Sequence, residues 1–156
     1  MVDFSQLLKK PAGEAKRPPT LPVGDYPAVI KGYEVGDSNR NKTPYFRFPI
    51  VLQDWPKDSS DEWTVVDHEG NASLANKADV DLSKRSMRMD FYVTDDALWR
   101  FDDFVRSCGI NPAGRPYEEI LPELVGQPVL AEVQQYLNQQ TNETGNQIRK
   151  LVGFGA

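Results

Sequence analysis

Hydrophobic and polar residues alternate with a period of two in five segments of the chain, which is typical of β-strands that bury one face. The alternation predicts strands at residues 25–35, 45–53, 84–93, 128–137 and 146–154. In the second and third of these strands one face is apolar throughout: Phe46, Phe48, Ile50 and Leu52, then Met87, Met89, Phe91 and Val93. We therefore expect these two faces to meet in a common core.

Between the third and fourth strands the hydrophobic period becomes that of a helix. Apolar residues spaced by three and four run from Leu98 to Cys108, and Gly109 follows as a helix terminator. Asp95 and Asp96 precede this segment, and we interpret them as capping residues because carboxylates are stabilised at a helix N-terminus. Cys108 occupies an apolar position, which favours a small buried side chain. A second, weaker helical turn is predicted at residues 117–124.

Two segments show neither period. Residues 1–22 contain four prolines and several cations, and we interpret them as an extended arm that carries Lys9, Lys10, Lys16 and Arg17. Residues 54–81 are polar and acidic, and we interpret them as an inserted loop in which only residues 63–66 favour a small extra strand. The folded domain is then predicted to cover residues 23–156.

The order strand, strand, strand, helix, strand, strand is that of an OB-fold, a mainly β architecture. In this fold a five-stranded antiparallel barrel closes on itself, and the helix between strands three and four covers one end. Closure removes exposed strand edges, which otherwise pair with other chains. A five-stranded sheet packed on one helix remains the alternative, because the order of the elements does not decide closure.

The composition is that of one globular domain. The chain has 156 residues, of which 39% are hydrophobic and 26% charged, so it is long enough to bury a core without disulfides. Its apolar runs are far shorter than a membrane span, and the first residues lack the apolar stretch of a secretion signal. The single cysteine excludes an internal disulfide. We therefore expect a cytoplasmic protein that does not contact a membrane.

The net charge of −5 argues against a protein that coats nucleic acid through general basicity. Residues 1–50, however, contain eight Lys and Arg against five Asp and Glu, a net charge of +3. Residues 51–81 contain two against eight, a net charge of −6, and residues 82–156 contain eight against ten, a net charge of −2. The excess acid is concentrated in the predicted loop, so the strands beside it can still present a cationic surface.

Aromatic and cationic residues alternate on the face of strands two and three that lies opposite the predicted core. Aromatic rings stack on bases and Arg or Lys contacts phosphates, so this combination is typical of proteins that bind single-stranded nucleic acid. The predicted contact residues are Lys31, Tyr33, Arg40, Lys42, Tyr45, Arg47, Arg88, Tyr92 and Arg149. The alternative is that Tyr and Arg only populate the solvated side of a sheet.

The patterns typical of nucleotide-hydrolysing enzymes are absent. No Gly-rich phosphate loop occurs, and the acidic segment lacks the spacing of a calcium-binding loop. His68 is the only histidine, and we interpret it as an exposed loop residue. One enzymatic alternative is a metal-dependent nuclease that uses Asp54, Asp67, Glu69 and Asp90. Nothing in their spacing brings these carboxylates together, so we expect no catalytic residue, no cofactor and no metal.

Three segments of the chain carry a resemblance to a known family. They are DFSQLLKKP near the start, VGDYPAVIKGYEVGDSNRNKTPYFRF at residues 23–48 and LVGQPVLAEVQQYLNQQTNETGNQIRKLVGF at residues 124–154. These segments resemble small bacteriophage single-stranded-DNA-binding proteins of OB-fold type, which are encoded in replication and recombination gene clusters. The resemblance implies a non-enzymatic protein that coats or escorts single-stranded DNA in the host cytoplasm.

The sequence therefore favours a single-stranded-DNA-binding protein of phage replication or recombination. The N-terminal arm is expected to support self-association through Phe4, Leu7 and Leu8, which would make coating cooperative. Phage replication proteins are further expected partners. The alternative function is that of a non-catalytic structural, scaffold or interaction protein of the phage, which uses the acidic segment and the Pro-rich arm to bind proteins.

Overall fold

The computed structural model describes residues 5, 8–9, 19–38, 40, 42–67, 69–140 and 143–154. Its strands are β1 (Gly24–Ile30), β2 (Glu34–Asp37), β3 (Pro44–Leu52), β4 (Glu62–Val66), β5 (Ala72–Asn76), β6 (Ser86–Tyr92), β7 (Pro128–Asn138) and β8 (Glu143–Gly153). The helices are α1 (Leu98–Ser107) and α2 (Tyr117–Leu124), and two 3-10 turns, Lys77–Asp79 and Leu82–Lys84, precede β6. In this part of the chain no helix has the length and apolar character needed to cross a bilayer.

β3 is the centre of an antiparallel sheet because three strands pair with it. β6 lies along one edge of β3, with Phe46 opposite Phe91. β1 and β2 lie along the other edge. β1 also pairs with β7, and β7 pairs with β8, so the strand order is β6, β3, β1, β7, β8. The mainly β class is confirmed, and α1 lies, as predicted, between the strands expected third and fourth, which are β6 and β7.

The strand predicted at residues 25–35 is two strands. β1 and β2 are separated by residues 31–33, yet both pair with the same edge of β3. Ile30 and Glu34 are four positions apart, whereas their partners Ile50 and Arg47 are three positions apart. One extra residue therefore interrupts the ladder, as in a β-bulge, and bends the chain without removing it from the sheet.

The core lies between the sheet and α1. The predicted apolar face of β3 is buried at every position, which confirms the alternation. α1 contributes Phe101, Phe104 and Val105, and the Phe48 and Phe101 rings stack with their centroids 5.9 Å apart. On β6, Phe91 is buried, whereas Met87 and Met89 are only half-buried and pack at the edge of the core.

The predicted start of the helix is wrong in detail. α1 begins at Leu98, and Ala97 occupies the N-cap position without a side-chain hydrogen bond. The carbonyl oxygen of Thr94 accepts hydrogen bonds from the amides of Ala97 and Leu98, so a backbone turn leads into the helix. Asp95 and Asp96 lie within that turn and are not caps. At the other end, Cys108 is half-buried, and burial raises the pKa of its thiol.

The acidic segment at residues 54–81 is not an extended loop. It contains the β4–β5 hairpin, which includes the extra strand expected at residues 63–66, and the first 3-10 turn, Lys77–Asp79. The Trp63 indole N–H donates a hydrogen bond of 2.7 Å to the carbonyl of Thr20, and its ring lies 5.3 Å from that of Trp55. Tryptophan contacts therefore dock the hairpin on the domain.

Packing begins earlier than the predicted domain start at residue 23. Leu21 is buried, and its backbone N–H and carbonyl are hydrogen-bonded to the side-chain amide of Asn146. The side chain of Gln135 also donates to the Leu21 carbonyl. Residues 19–22 therefore form an ordered edge of the domain. Leu8 is 85% exposed, and the other anchor residues expected in the arm, Phe4 and Leu7, lie outside the described residues.

The sheet does not close into a barrel. Among the described residues β6 pairs with β3 alone and β8 with β7 alone, and Cα atoms of β6 and β8 approach to within 8 Å at several positions. No hydrogen-bonded ladder joins these two strands in the described ranges. β8 contains a bulge, because Arg149 is the extra residue between Ile148 and Lys150, which pair with Val133 and Glu132. Bulges bend their strand and increase its twist, which accounts for an edge that runs beside β6 without pairing.

Candidate nucleic-acid interface

A surface groove follows the seam between β6 and β8. Its volume is about 760 Å³. One wall comes from β2, β3 and β6, and the other from the β7–β8 hairpin. Its lining residues include Glu34, Arg47, Arg88, Asp90, Tyr136 and Gln147. The groove exists because the two edge strands approach each other without pairing, so the open seam and the candidate site are the same feature.

Arg47 and Asp90 form the most tightly connected pair in the groove. They are directly opposite each other on β3 and β6, and the pair is bidentate: Nε to Oδ1 is 2.9 Å and Nη2 to Oδ2 is 3.1 Å. The hydrogen bond to Asp90 raises the pKa of Arg47 above its usual value. On the other side of β3, Glu34 is the cross-strand neighbour of Arg47. The guanidinium predicted as a phosphate contact is therefore already paired with a carboxylate.

Arg88 differs from Arg47. It lies opposite Pro49 in the β3–β6 ladder and its side chain is exposed. No ion pair joins Arg88 to another residue in the described part of the chain. Within the described residues, Arg88 therefore presents to the groove a positive charge that no ion pair engages.

Tyr45 and Tyr92 are cross-strand neighbours beside the groove. They are directly opposite each other on β3 and β6, so their rings are on one face of the sheet. Tyr45 packs over Gly36 of β2, where an added Cβ would lie 2.8 Å from the tyrosine oxygen. The Cζ atom of Arg47 is 4.5 Å from the centroid of the Tyr45 ring. Tyr45, Arg47 and Tyr92, which are predicted to lie on the binding face, therefore lie together. Arg88 occupies the next row of the β3–β6 ladder.

Tyr136 is a groove residue that the sequence interpretation missed. It lies on β7 opposite Gly145 of β8, and an added Cβ on Gly145 would be 2.7 Å from the Tyr136 ring. The ring is therefore held flat over the hairpin, while 46% of the residue stays exposed. The signal was present: buried residues alternate along β7 up to Val133, which places even-numbered residues on the opposite face. Exposed Gln147 lines the same wall.

The remaining predicted contact residues lie outside the groove lining. Lys31 and Tyr33 are exposed in the break between β1 and β2, and the Lys31 amide donates to the Pro49 carbonyl. Arg40 and Lys42 are exposed in the turn between β2 and β3, at the end of the sheet that carries Tyr45. Arg149 is exposed at the bulge of β8. Of the nine predicted contacts, Arg47 and Arg88 line the groove.

The carboxylates of the nuclease alternative are held separately. Asp90 is paired with Arg47, and the Asp54 carboxylate accepts a hydrogen bond from the Trp55 amide. Asp67 accepts hydrogen bonds from the amides of Glu69 and Asn71 within the turn of the β4–β5 hairpin. No group of three or more metal-ligating side chains occurs among the residues that the structure covers. His68 lies outside the described residues.

Comparison with known proteins adds no relative: the chain matches no protein-family model, and no curated protein matches it. The groove therefore has to be interpreted from its own chemistry.

Proposed function

We propose that this protein binds single-stranded DNA in the groove between β6 and β8 and acts in phage DNA replication or recombination without catalysis. The observation that carries the proposal is the composition of the two walls: unpaired Arg88 on β6 faces a groove whose other wall carries the exposed Tyr136 ring. Single-strand binding needs both a cation for the phosphates and an aromatic ring for the bases. The resemblance to phage single-strand-binding proteins supports the biological context.

The strand pairing also supports the finer fold proposal. We propose that the sheet is an OB-like barrel whose last seam is left open as the binding groove. β1 pairs with both β3 and β7, so the sheet curves round until its edge strands β6 and β8 are adjacent. In this arrangement a ligand occupies the place that a final ladder would otherwise fill.

The charges in the groove favour stacking as the main source of affinity. The two arginines, Arg47 and Arg88, are balanced by Glu34 and Asp90 in the same lining. Stacking of one base on an aromatic ring contributes about 1–3 kcal/mol, which does not depend on net charge. We therefore expect a moderate affinity for single strands. The affinity for duplex should be weaker, because its bases are already stacked.

Anisotropy of a fluorescent oligo(dT) tests the function. We expect the intact chain to bind at low salt and to release the strand as salt is raised. A variant with Arg88→Ala and Tyr136→Ala should bind at least tenfold more weakly and melt at nearly the same temperature. The matched control changes Arg106→Ala and Trp99→Ala, an exposed cation and an exposed aromatic residue on α1, and should bind normally. Absence of binding by the intact chain would overturn the function, whereas equal binding by the groove variant would overturn the site.

One observation favours protein binding as a second candidate function. The outer face of the β4–β5 hairpin exposes Val66 and Leu74, the latter to 71%, within the acidic segment. A basic segment with apolar residues complements this surface, and the N-terminal arm of a second copy has that character. Sedimentation of the intact chain and of a Leu74→Ser variant tests this role. We expect the intact chain to self-associate and the variant to dissociate. An intact chain that stays monomeric would contradict the role.

A further inference from the structure

We propose that Arg47 acts in the groove as a flat stacking platform for a base and not as a phosphate contact, so that the site selects strands with unstacked bases over other polyanions. This inference rests on the proposed single-strand binding and assigns different roles to the two groove arginines.

The Arg47 guanidinium is already paired with a carboxylate. Both carboxylate oxygens of Asp90 are engaged by Nε and Nη2 of Arg47. Side-chain exposure is only 23% for Arg47 and 21% for Asp90, so water screens the pair less than it would on an open surface. The N–H groups of Arg47 that Asp90 does not engage remain donors, but a phosphate that approaches them meets a charge already paired with Asp90 and lies close to that carboxylate.

The neighbours of Arg47 restrain the orientation of its guanidinium. The bidentate pair with Asp90 restrains the guanidinium plane, because two parallel hydrogen bonds allow little rotation. Tyr45 supports the guanidinium from below, with 4.5 Å between Cζ and the ring centroid, and Gly36 makes room for that ring. A planar group that is fixed at its edge and supported on one side is suited to stack on a base, as guanidinium planes do in complexes with single-stranded RNA.

Arg88 lies on β6, two positions from Asp90, and differs from Arg47 in its charge partners. Its exposed cation has no carboxylate partner among the described residues. Binding of a phosphate to Arg88 therefore releases counterions without breaking an existing pair. The two arginines line the same groove, yet only one of them has a free charge.

Arg47→Lys separates the two roles. Lysine keeps the positive charge and can still pair with Asp90, but it has no planar group to stack. The matched change is Arg88→Lys, which keeps the point charge that a phosphate needs. Each protein is titrated with fluorescent oligo(dT) and with an abasic strand of the same length over a range of salt concentrations. Thermal melting checks that each variant is folded.

We expect Arg47→Lys to weaken oligo(dT) binding about tenfold and to leave both the salt dependence and the affinity for the abasic strand unchanged. Arg88→Lys should bind both strands nearly as well as the intact chain. Arg88→Gln should weaken the binding of both strands and reduce the slope of log K against log salt by about 0.7.

The outcomes distinguish this inference from the function on which it rests. If the intact chain binds neither strand, the proposed function itself fails. The stacking role of Arg47 is overturned, while single-strand binding stands, in two cases. In the first, the intact chain binds and Arg47→Lys retains full affinity for oligo(dT). In the second, Arg47→Lys loses affinity equally for oligo(dT) and for the abasic strand.

Discussion

Gly153 and Ser107 join the end of the last strand to the end of the first helix. The Gly153 amide donates a hydrogen bond of 2.8 Å to the Ser107 hydroxyl, which in turn donates to the Phe104 carbonyl. A Cβ on Gly153 would collide with the backbone carbonyl of Ser107. The close approach of β8 to α1 therefore requires glycine at this position.

Gly153→Ala is expected to destabilise the domain by about 1–3 kcal/mol, because a backbone carbonyl cannot move aside as a flexible side chain can. Urea unfolding followed by tryptophan fluorescence measures the loss. Gly32→Ala is the control, since no atom lies within 4 Å of its added Cβ. Equal stability of the two variants would show that α1 and β8 are further apart than described.

The packing of residues 19–22 can be tested with two leucines of the N-terminal region. Leu21 is 1% exposed and Leu8 is 85% exposed. Leu21→Ala should destabilise the domain by about 2–5 kcal/mol, the range for a leucine removed from a core. Leu8→Ala should change stability by less than about 0.5 kcal/mol. If both variants have the same melting temperature, residue 21 is part of a loose arm, as the sequence predicts.

The cross-strand pair of Tyr136 and Gly145 predicts an indirect effect on binding. Gly145→Ala places a methyl group against the Tyr136 ring and displaces it from the hairpin. This variant should therefore weaken oligo(dT) binding about as much as Tyr136→Ala does. Tyr136→Phe keeps the ring and should bind normally. Normal binding by Gly145→Ala would show that ring position is unimportant.

Removal of the Asp90 carboxylate should change the salt dependence of binding. In Asp90→Asn the Arg47 charge loses its bidentate partner and becomes available to phosphates. Oligo(dT) affinity at low salt should rise, and the slope of log K against log salt should steepen by about 0.7. Asp103→Asn is the control, because Asp103 pairs with Arg106 on α1, outside the groove. An unchanged slope would mean that Arg47 contacts phosphate even while paired.

Two tyrosines, buried Tyr26 and half-buried Tyr117, predict a loss of stability at alkaline pH. Burial, together with a hydrogen bond to Asp102, raises the pKa of Tyr117 to about 12, and burial also raises the pKa of Tyr26. The unfolded chain releases these protons near pH 10 whereas the folded chain retains them. The contribution of these two tyrosines to stability should therefore be constant below about pH 10 and decrease between about pH 10 and 12. Tyr117→Phe should reduce that fall in urea unfolding at a series of pH values, and an identical pH profile would contradict the assignment.

Local pattern was enough to predict most of the elements. Phe46, Phe48, Ile50 and Leu52 are buried as their alternation predicts, because a strand with one apolar face has only one way to bury it. The helix between β6 and β7 followed in the same way from the spacing of its apolar residues. The break at residues 31–33 was not predictable, since an extra residue in a ladder depends on the register with the partner strand.

The alternation of Tyr45 with Arg47, and of Arg88 with Tyr92, determined which residues share the exposed face, because side chains alternate along any strand. It did not determine which charges are free. That was decided by the register of β3 with β6, which places Asp90 opposite Arg47 and Pro49 opposite Arg88. The second wall of the groove, with Tyr136, likewise depends on how far the sheet curves, and that is set by packing between strands distant in sequence.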